Sequence, residues 1–520
     1  MKLAKHLMVM GTSSNVGKSV LCTALCRILT QEGLRVAPFK AQNMSLNSAV
    51  TPTGREIGRA QAVQAEACGI PANEHMNPVL LKPTRGQKSQ IVLQGRVYQT
   101  QSAREYFLER TREIWDAVVE SYQYLAMRHE LLVIEGAGSP VEMNLKPRDI
   151  ANMRMAELAD AAVLLVADID RGGVFASLVG TLQLLNASER ARVKGILINK
   201  FRGDRSLFED GVRMLEEYTG VPVLGVIPHI PDLGIDEEDS VALDESRYRL
   251  QQSTHLSQDS IHIAVIQVPH ISNFTDFDPL FLDPTVHVYF CRKPEEVGSP
   301  HAIILPGSKN TIDDLQWLRE TGFANVIRQK REEGVFFFGI CGGYQMLGEE
   351  VRDPGGQESQ VPVCSGFGFL PIITTLQDVK TTVLVHGELQ NIFSTISVRG
   401  YEIHMGESIG TSKYVPFAVI QEISDGHNRK DGAMNEDGTV IGTYLHGIFH
   451  NDSFRQKWLS MLRQHFGLTP SEASNWSIDQ VRSQAFDRLA AVVRENMDME
   501  KLYEIIQWEE EQPNESFLSQ

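Results

Sequence analysis

Leu7-Met8-Val9-Met10-Gly11-Thr12-Ser13-Ser14-Asn15-Val16-Gly17-Lys18-Ser19 decides the fold of the first half of the chain. Four apolar residues read as a buried strand. A glycine-bearing turn follows, and the amphipathic stretch Ser19–Glu32 opens a helix behind it. Strand, Gly-Lys-Ser and helix in that order are the context of a phosphate loop. There the backbone N–H groups of Ser14, Asn15, Val16 and Gly17 and the helix N-terminus cradle phosphate oxygens of ATP. Lys18 reaches the β- and γ-phosphates, and the Ser19 hydroxyl binds Mg²⁺. The spacing departs from G-x-x-x-x-G-K-[ST], because Gly11 stands one residue early and Thr12 takes the usual glycine place.

Outward from the loop, nearly continuous apolar runs recur at Leu34–Phe39, Leu131–Ile134, Ala162–Ala167, Gly195–Ile198 and Val223–Ile227. Runs apolar on both faces fit parallel strands under helices. The stretches Ala103–His129 and Gly173–Leu185 supply helices, so residues 1–230 read as a doubly wound α/β domain. Three polar residues close strands at the edge where open α/β sheets bind ligands. They are Lys40, Glu135 and Asn199. Glu135 is a candidate Mg²⁺ carboxylate, directly or through water. Asn199 is a candidate contact to the adenine edge.

Residues 231–260 change character. His229-Ile230-Pro231-Asp232-Leu233-Gly234, the acidic run Asp236–Asp239 and the polar run Gln251–Ser260 read as surface and linker. A second α/β series then occupies 261–455, with strands at Ile261–Val268, His287–Phe290, Ala302–Leu305 and Val335–Ile340. Residues 456–520 read as a helical C-terminal segment with an acidic, frayed tail.

The 520 residues carry 49 Lys+Arg against 66 Asp+Glu, a net charge of −17. That balance argues against a nucleic-acid partner, which needs a basic face. No stretch approaches the ~20 apolar residues of a membrane span. The apolar N-terminus is too short for a secretion signal, so cytoplasm is expected. None of the six cysteines forms a C-x-x-C pair. Nothing in the pattern points to an oligomeric state.

Phe336-Phe337-Phe338-Gly339-Ile340-Cys341-Gly342-Gly343-Tyr344-Gln345 is the sharpest signal in the second half. An apolar strand runs into a Cys among small residues, and a helix follows, as in a nucleophile elbow. The helix N-terminus favours thiolate. Such a thiol needs a base. His446, in Gly442-Thr443-Tyr444-Leu445-His446-Gly447-Ile448, is the candidate, and His404 competes with it. Leu305-Pro306-Gly307-Ser308-Lys309-Asn310 ends a strand and can present N–H groups to an oxyanion. Gly307, Ser308 and Gly342 are the oxyanion-hole candidates.

These motifs together carry a resemblance. The first half resembles the dethiobiotin synthetase-like P-loop ATPases, whose offset glycine matches Gly11. The second half is similar to class I, triad-type glutamine amidotransferases of flavodoxin-like fold. Lys40-Ala41-Gln42-Asn43-Met44-Ser45-Leu46-Asn47-Ser48, Ala167-Asp168-Ile169-Asp170-Arg171-Gly172-Gly173 and Leu305-Pro306-Gly307-Ser308-Lys309-Asn310-Thr311 extend the likeness to the cobyric acid synthases, over about Leu3 to Phe466.

The resemblance implies amidation of the b, d, e and g carboxylates of adenosylcobyrinic acid a,c-diamide, in adenosylcobalamin biosynthesis. One glutamine and one ATP serve each amide. It implies Cys341 as nucleophile on glutamine, His446 as proton carrier, Lys40 as a second catalytic lysine, and an acyl phosphate at the ATP site. Class I relatives mostly carry His-x-Glu, yet Ile448 stands two after His446, as in the cobyric acid and cobyrinic diamide synthases. Glu402 or a backbone carbonyl is then the candidate to orient His446. Thr275–Pro279 and Asn43–Ser45 are candidate corrinoid contacts. The rivals are cobyrinic acid a,c-diamide synthase, CTP synthase and a partitioning or carrier-loading P-loop ATPase. Ile448 speaks against CTP synthase, and the ATPase reading leaves Cys341 and His446 without a task.

Overall fold

The computed structural model describes residues 4–84, 88–102, 112–231, 234–235, 259–412, 414–423, 426–470 and 476–508. Two six-stranded sheets organise it. The first runs Val223–Pro228, Val193–Phe201, Ala162–Asp168, Lys5–Gly11, Leu131–Glu135, Val36–Phe39, edge to edge and all parallel. Its central strands are buried on both faces, as their unbroken apolar runs require. Val9 pairs with Glu135 on one side and Leu164 on the other. Gly11, Glu135 and Asp168 therefore end on one edge, beside the point where the strand order reverses.

The helix Lys18–Gln31 buries Leu21, Cys22, Leu25, Cys26, Ile28 and Leu29 against this sheet. Burial pushes the Cys22 and Cys26 thiols well above their ordinary range, so both are packing residues. The expected helix at Ala103–His129 is described as Arg112–Ala126; residues 103–111 lie outside the described residues.

Between Lys40 and Ser102 the sequence periodicity marks no strand or helix. Here Gln42–Met44, Val79–Thr84, Lys88–Leu93 and Arg96–Ser102 form a small sheet. Ser48–Val50 pairs with Glu56–Gly58 and leads into the helix Arg59–Ala67. These strands are short and broken by polar residues, so no apolar period marks them.

The second sheet runs Val286–Cys291, Ile261–Ile266, Ala302–Leu305, Phe336–Ile340, Val440–Thr443, Ala433–Met434; only the last pair is antiparallel. A further, mainly antiparallel sheet is built on the long pair Ile372–Leu389 and Ser397–Gly410. Phe338 packs against Phe417, Phe449, Phe454 and Trp458. Cutting such a ring to Ala costs about 3–5 kcal/mol.

The C-terminal segment is not one unit. The helix Asp452–Phe466 runs across the boundary read at 456, and Phe454 and Trp458 sit in the core of the second domain. The helices Ile478–Glu495 and Met499–Ile505 return to the first domain, where Phe486, Leu489 and Val493 pack beside Lys18–Gln31. The apolar face of each helix has to be covered, and the two domains offer different faces. The acidic tail from 509 and most of the expected linker, including Asp236–Asp239 and Gln251–Gln258, lie outside the described residues. Among the described residues, no helix is long and apolar enough to cross a membrane.

Candidate functional site

The phosphate loop closes tightly over its own lysine. Lys18 Nζ donates to Ser13 O at 3.1 Å and to Gly138 O at 3.2 Å. A Cβ on Gly11 would stand 2.6 Å from Val16 Cγ2 and 3.0 Å from Lys18 Nζ, which is why glycine occupies that offset place. Asn15 and Gly17 take left-handed backbone angles, with φ of 60° and 98°. The amide of Asn199 donates to Val16 O at 2.8 Å, and Lys200 Nζ to Asn15 O at 2.7 Å. Asn199 therefore braces the loop from below through one N–H of its amide.

Glu135 gathers the other expected residues. Its Oε1 accepts from Ser19 Oγ at 2.8 Å and pairs with Lys40 Nζ at 2.8 Å. Its Oε2 accepts from Gln64 Nε2 at 2.7 Å, a partner without any sequence signal. Burial pushes the Glu135 carboxyl up, but Lys40 and the hydrogen bonds outweigh it, and the group is held below its ordinary value as carboxylate. A hydroxyl and a carboxylate converging at a loop for phosphates form the donor set that Mg²⁺ takes, with phosphate oxygens and waters completing it. No cluster of three metal-ligating side chains occurs among the described residues, and this kind of site needs none.

The thiol site is assembled from remote segments. Phe336–Ile340 delivers Cys341 at a sharp turn, with φ 52° and ψ −108°. A Cβ on Gly343 would lie 1.9 Å from Leu305 O, and one on Gly339 2.6 Å from Gly343 O, so only glycine permits the turn. Val440–Thr443 delivers His446 within electrostatic reach of Cys341, whose Sγ donates to Ile403 O at 3.6 Å. The Asp276 carboxylate stands behind it: Nδ1 of His446 lies 2.7 Å from Asp276 Oδ2, and Gly447 N donates to Asp276 Oδ1 at 2.8 Å. Burial pulls the imidazole pKa down, but Asp276 first and Cys341 second raise it to about 10. At neutral pH the imidazolium form is therefore favoured, facing the thiol.

Two expectations change here. Glu402 does not orient His446; it is buried and pairs with Arg429, with His404 3.7 Å away. Asp276, offered as a corrinoid contact, lies sealed behind the imidazole instead. It is 170 residues from its partner, so nothing in the sequence linked it to His446. His404 stacks on Tyr444 with ring centres 3.9 Å apart, and its Nδ1 faces Gly406 O at 2.8 Å, so it is not the base beside Cys341.

Gly307 and Ser308 do meet the thiol turn. A Cβ on Gly342 would stand 2.8 Å from Ser308 N, and one on Gly307 3.2 Å from the His446 ring. The backbone of that loop and the start of the helix after Cys341 thus meet at one corner of the thiol site.

A pocket opens from Cys341 and is lined by Lys309, Glu358 and Lys380 of the second domain and by Lys82 of the first. Lys82 and Lys380 both pair with the buried Glu56, each at 2.5 Å. Burial, against the pull of Glu56, brings the Lys82 ammonium down to about 8. The thiol therefore faces the domain interface.

Comparison with known proteins agrees with this arrangement. Residues 7–241 match the family model described as the CobQ/CobB/MinD/ParA nucleotide binding domain. Residues 262–454 match the CobB/CobQ-like glutamine amidotransferase domain. A cobyric acid synthase of Caldanaerobacter subterraneus is 48% identical over 97% of this chain and 99% of its own length. The same name belongs to a relative in Citrobacter koseri, 48% identical over 97% of this chain and 99% of its own, and to one in Streptococcus sanguinis, 47% identical over 98% and 100%. With both domain families in that order and relatives matched end to end, the chain belongs to the cobyric acid synthase family.

Proposed function

We propose that this chain amidates the b, d, e and g carboxylates of adenosylcobyrinic acid a,c-diamide, using glutamine as nitrogen source and ATP as activator. The observation that carries the reading is one polypeptide holding both a Cys341–His446–Asp276 triad and a Ser19–Glu135–Lys40 cluster under a phosphate loop. The first frees nitrogen, and the second prepares an acid to receive it.

At the thiol site, Cys341 as thiolate attacks the side-chain carbonyl carbon of glutamine. Gly307, Ser308 and Gly342 supply N–H groups for the developing oxyanion. His446, held as imidazolium by Asp276, gives its proton to the departing nitrogen, and ammonia leaves. Water then cleaves the γ-glutamyl thioester, with His446 taking a proton, and glutamate is released.

At the phosphate loop, Lys18 and the backbone N–H groups of residues 14–17 hold the phosphates of ATP. Ser19 and Glu135 would hold Mg²⁺, whose charge when bound offsets that of the transferred phosphoryl group. Lys40 is placed to guide the substrate carboxylate toward the γ-phosphate. The γ-phosphoryl group passes to the carboxylate, giving an acyl phosphate and ADP. Ammonia displaces phosphate and leaves the amide. Six unpaired cysteines and the use of ATP fit a cytoplasmic setting.

Incubation of the purified chain with cobyrinic acid a,c-diamide, ATP, Mg²⁺ and glutamine, followed by mass spectrometry, tests the whole reading. Four successive amidations are expected. Amidation of the a and c positions of cobyrinic acid instead would assign the chain to the sister reaction.

A further inference from the structure

Phosphoryl transfer brings a carboxylate of the corrinoid to Lys40, so the surface around Lys40 has to hold the rest of that molecule. Two loops leave this point. Val36–Phe39 and Leu131–Glu135 are neighbouring parallel strands, and both lead into the Lys40–Glu135 ion pair, 2.8 Å across. Beyond Lys40 the chain runs into Gln42–Met44. Beyond Glu135 it makes the loop 136–150. Asn152 clamps the base of that loop: Ala137 N donates to Asn152 Oδ1 at 3.1 Å, and Asn152 Nδ2 donates to Ala137 O at 2.7 Å.

Both loops leave large apolar side chains in solvent. Met44 is 54% exposed, Met143 51% and Leu145 37%. None of the three joins a hydrophobic core. Their neighbours do turn inward: Asn43 is buried, and Val141 packs on the core of the first domain. The loops are therefore anchored, while these three side chains stand clear beside a polar centre. Exposed apolar groups in such a place mark a ligand-binding surface. Arg148 closes the same loop, is exposed, and forms no ion pair among the described residues.

The substrate sets a particular demand. Four carboxylates spaced around one macrocycle have to reach the same Lys40 in turn, so the macrocycle is held in four orientations. A rigid, hydrogen-bonded pocket would fit one of them. Methionine is unbranched and polarizable, and it re-packs against different shapes. Flexible Met-rich surfaces are one way in which binders accept several partners.

We propose that Met44, Met143 and Leu145 form an adaptable apolar platform for the corrin macrocycle, and that Arg148 at its rim holds a carboxylate waiting its turn. The apolar side chains grip the ring without directional bonds, so each edge of the ring can be turned toward Lys40. Arg148 adds an attraction that falls as carboxylates become amides. Substrate is therefore held more tightly than the final product, which leaves.

This proposal rests on the corrinoid reading above, and the experiment separates the two. Binding of cobyrinic acid a,c-diamide, and of its product with four further amides, is measured by equilibrium dialysis. The full chain is used with AMP-PNP and Mg²⁺, and the corrinoid is read by its visible absorbance. Met44→Gln and Met143→Gln are each expected to weaken both corrinoids by the same factor, roughly 10-fold per side chain. Met44→Leu and Met143→Leu keep the apolar contact and are expected to recover most of that loss. Arg148→Gln is expected to weaken the substrate by up to about 5-fold and the product by less. Affinity for AMP-PNP is expected to hold in every variant, which reports an intact phosphate loop. Should the Met44→Gln, Met143→Gln double variant lose AMP-PNP as well, the single variants decide.

Wild-type affinity for both corrinoids in the double variant would overturn the platform while leaving the function intact. Equal weakening of substrate and product in Arg148→Gln would overturn its part. A changed oligomeric state by light scattering, with corrinoid binding intact, would overturn the proposal by showing that a second copy of this chain covers the patch. A wild-type chain that amidates no corrinoid by mass spectrometry would sink the substrate reading itself.

Discussion

The two reactive centres are built in opposite ways. The phosphate site is mostly one contiguous run, Gly11–Ser19, to which Glu135 and Lys40 are added from strand ends. The thiol site brings together Asp276, Ser308, Cys341 and His446, spread over 170 residues. A contiguous loop takes its shape from its own glycines and the helix behind it. A dispersed site takes its shape from the sheet, which holds the ends of separate strands in register. Damage to one should therefore stay local, whereas the other fails at whichever segment is moved.

The sharpest test of that difference is Cys341→Ala. Loss of a nucleophile costs up to about 10⁶-fold in turnover, judged from hydrolases with comparable triads. Glutamine-dependent amidation should vanish, while amidation from free ammonia persists, because the phosphate site does not draw on the thiol. Loss of both activities would show the centres to be one site. Asp276→Asn comes next. It leaves the shape intact but offers His446 the wrong partner, and the analogous change in a serine protease triad costs about 10⁴-fold. Glutamine-dependent turnover should fall by that order and ammonia-dependent turnover should stay. An unchanged glutaminase rate would return the orienting role to another group. Lys18→Ala is smaller per step, about 10²–10³-fold for the loss of one charge stabiliser. It should depress amidation from both nitrogen sources alike, and a defect with glutamine alone would remove Lys18 from phosphoryl transfer.

The same contrast explains what could be read before the structure. Lys18, Ser19 and Cys341 announce themselves through neighbours, since strand, turn and helix are all local signals. His446 follows a strand, and its pairing with Cys341 depends on Val440–Thr443 lying next to Phe336–Ile340, which alternating patterns suggest but do not specify. Neither Asp276 nor Gln64 carries a signal for the role it takes. Each sits in a short turn or helix and works through a contact with a distant segment. Glu402 was a candidate only because a carboxylate was needed to replace the one absent at Ile448, yet Arg429 claims it. The return of Ile478–Ile505 to the first domain was hidden for a similar reason: an amphipathic helix states that it has a partner, not which one.

The smallest effect separates Asp276 from mere packing. Folding raises the His446 pKa from 6.5 to about 10, through Asp276 and Cys341 and against burial. A base whose pKa rises on folding contributes stability fully below its unfolded value and loses it as pH climbs toward the folded one. Between pH 7 and 9 the native chain holds a proton there that the unfolded chain gives up. Unfolding free energy attributable to His446 should therefore fall across that window, by about 2 kcal/mol from linkage. In Asp276→Asn the imidazole has lost its chief reason to stay charged, and burial then favours the neutral ring. The slope of stability against pH should flatten in that variant, whatever its absolute stability. Groups such as Lys82, brought down to about 8, titrate in both proteins and cancel in the comparison. Denaturant titrations of the two proteins at pH 7, 8 and 9 read the difference directly. Parallel slopes would mean that Asp276 shapes the pocket without charging the imidazole, and that the proton given to the leaving nitrogen comes from elsewhere.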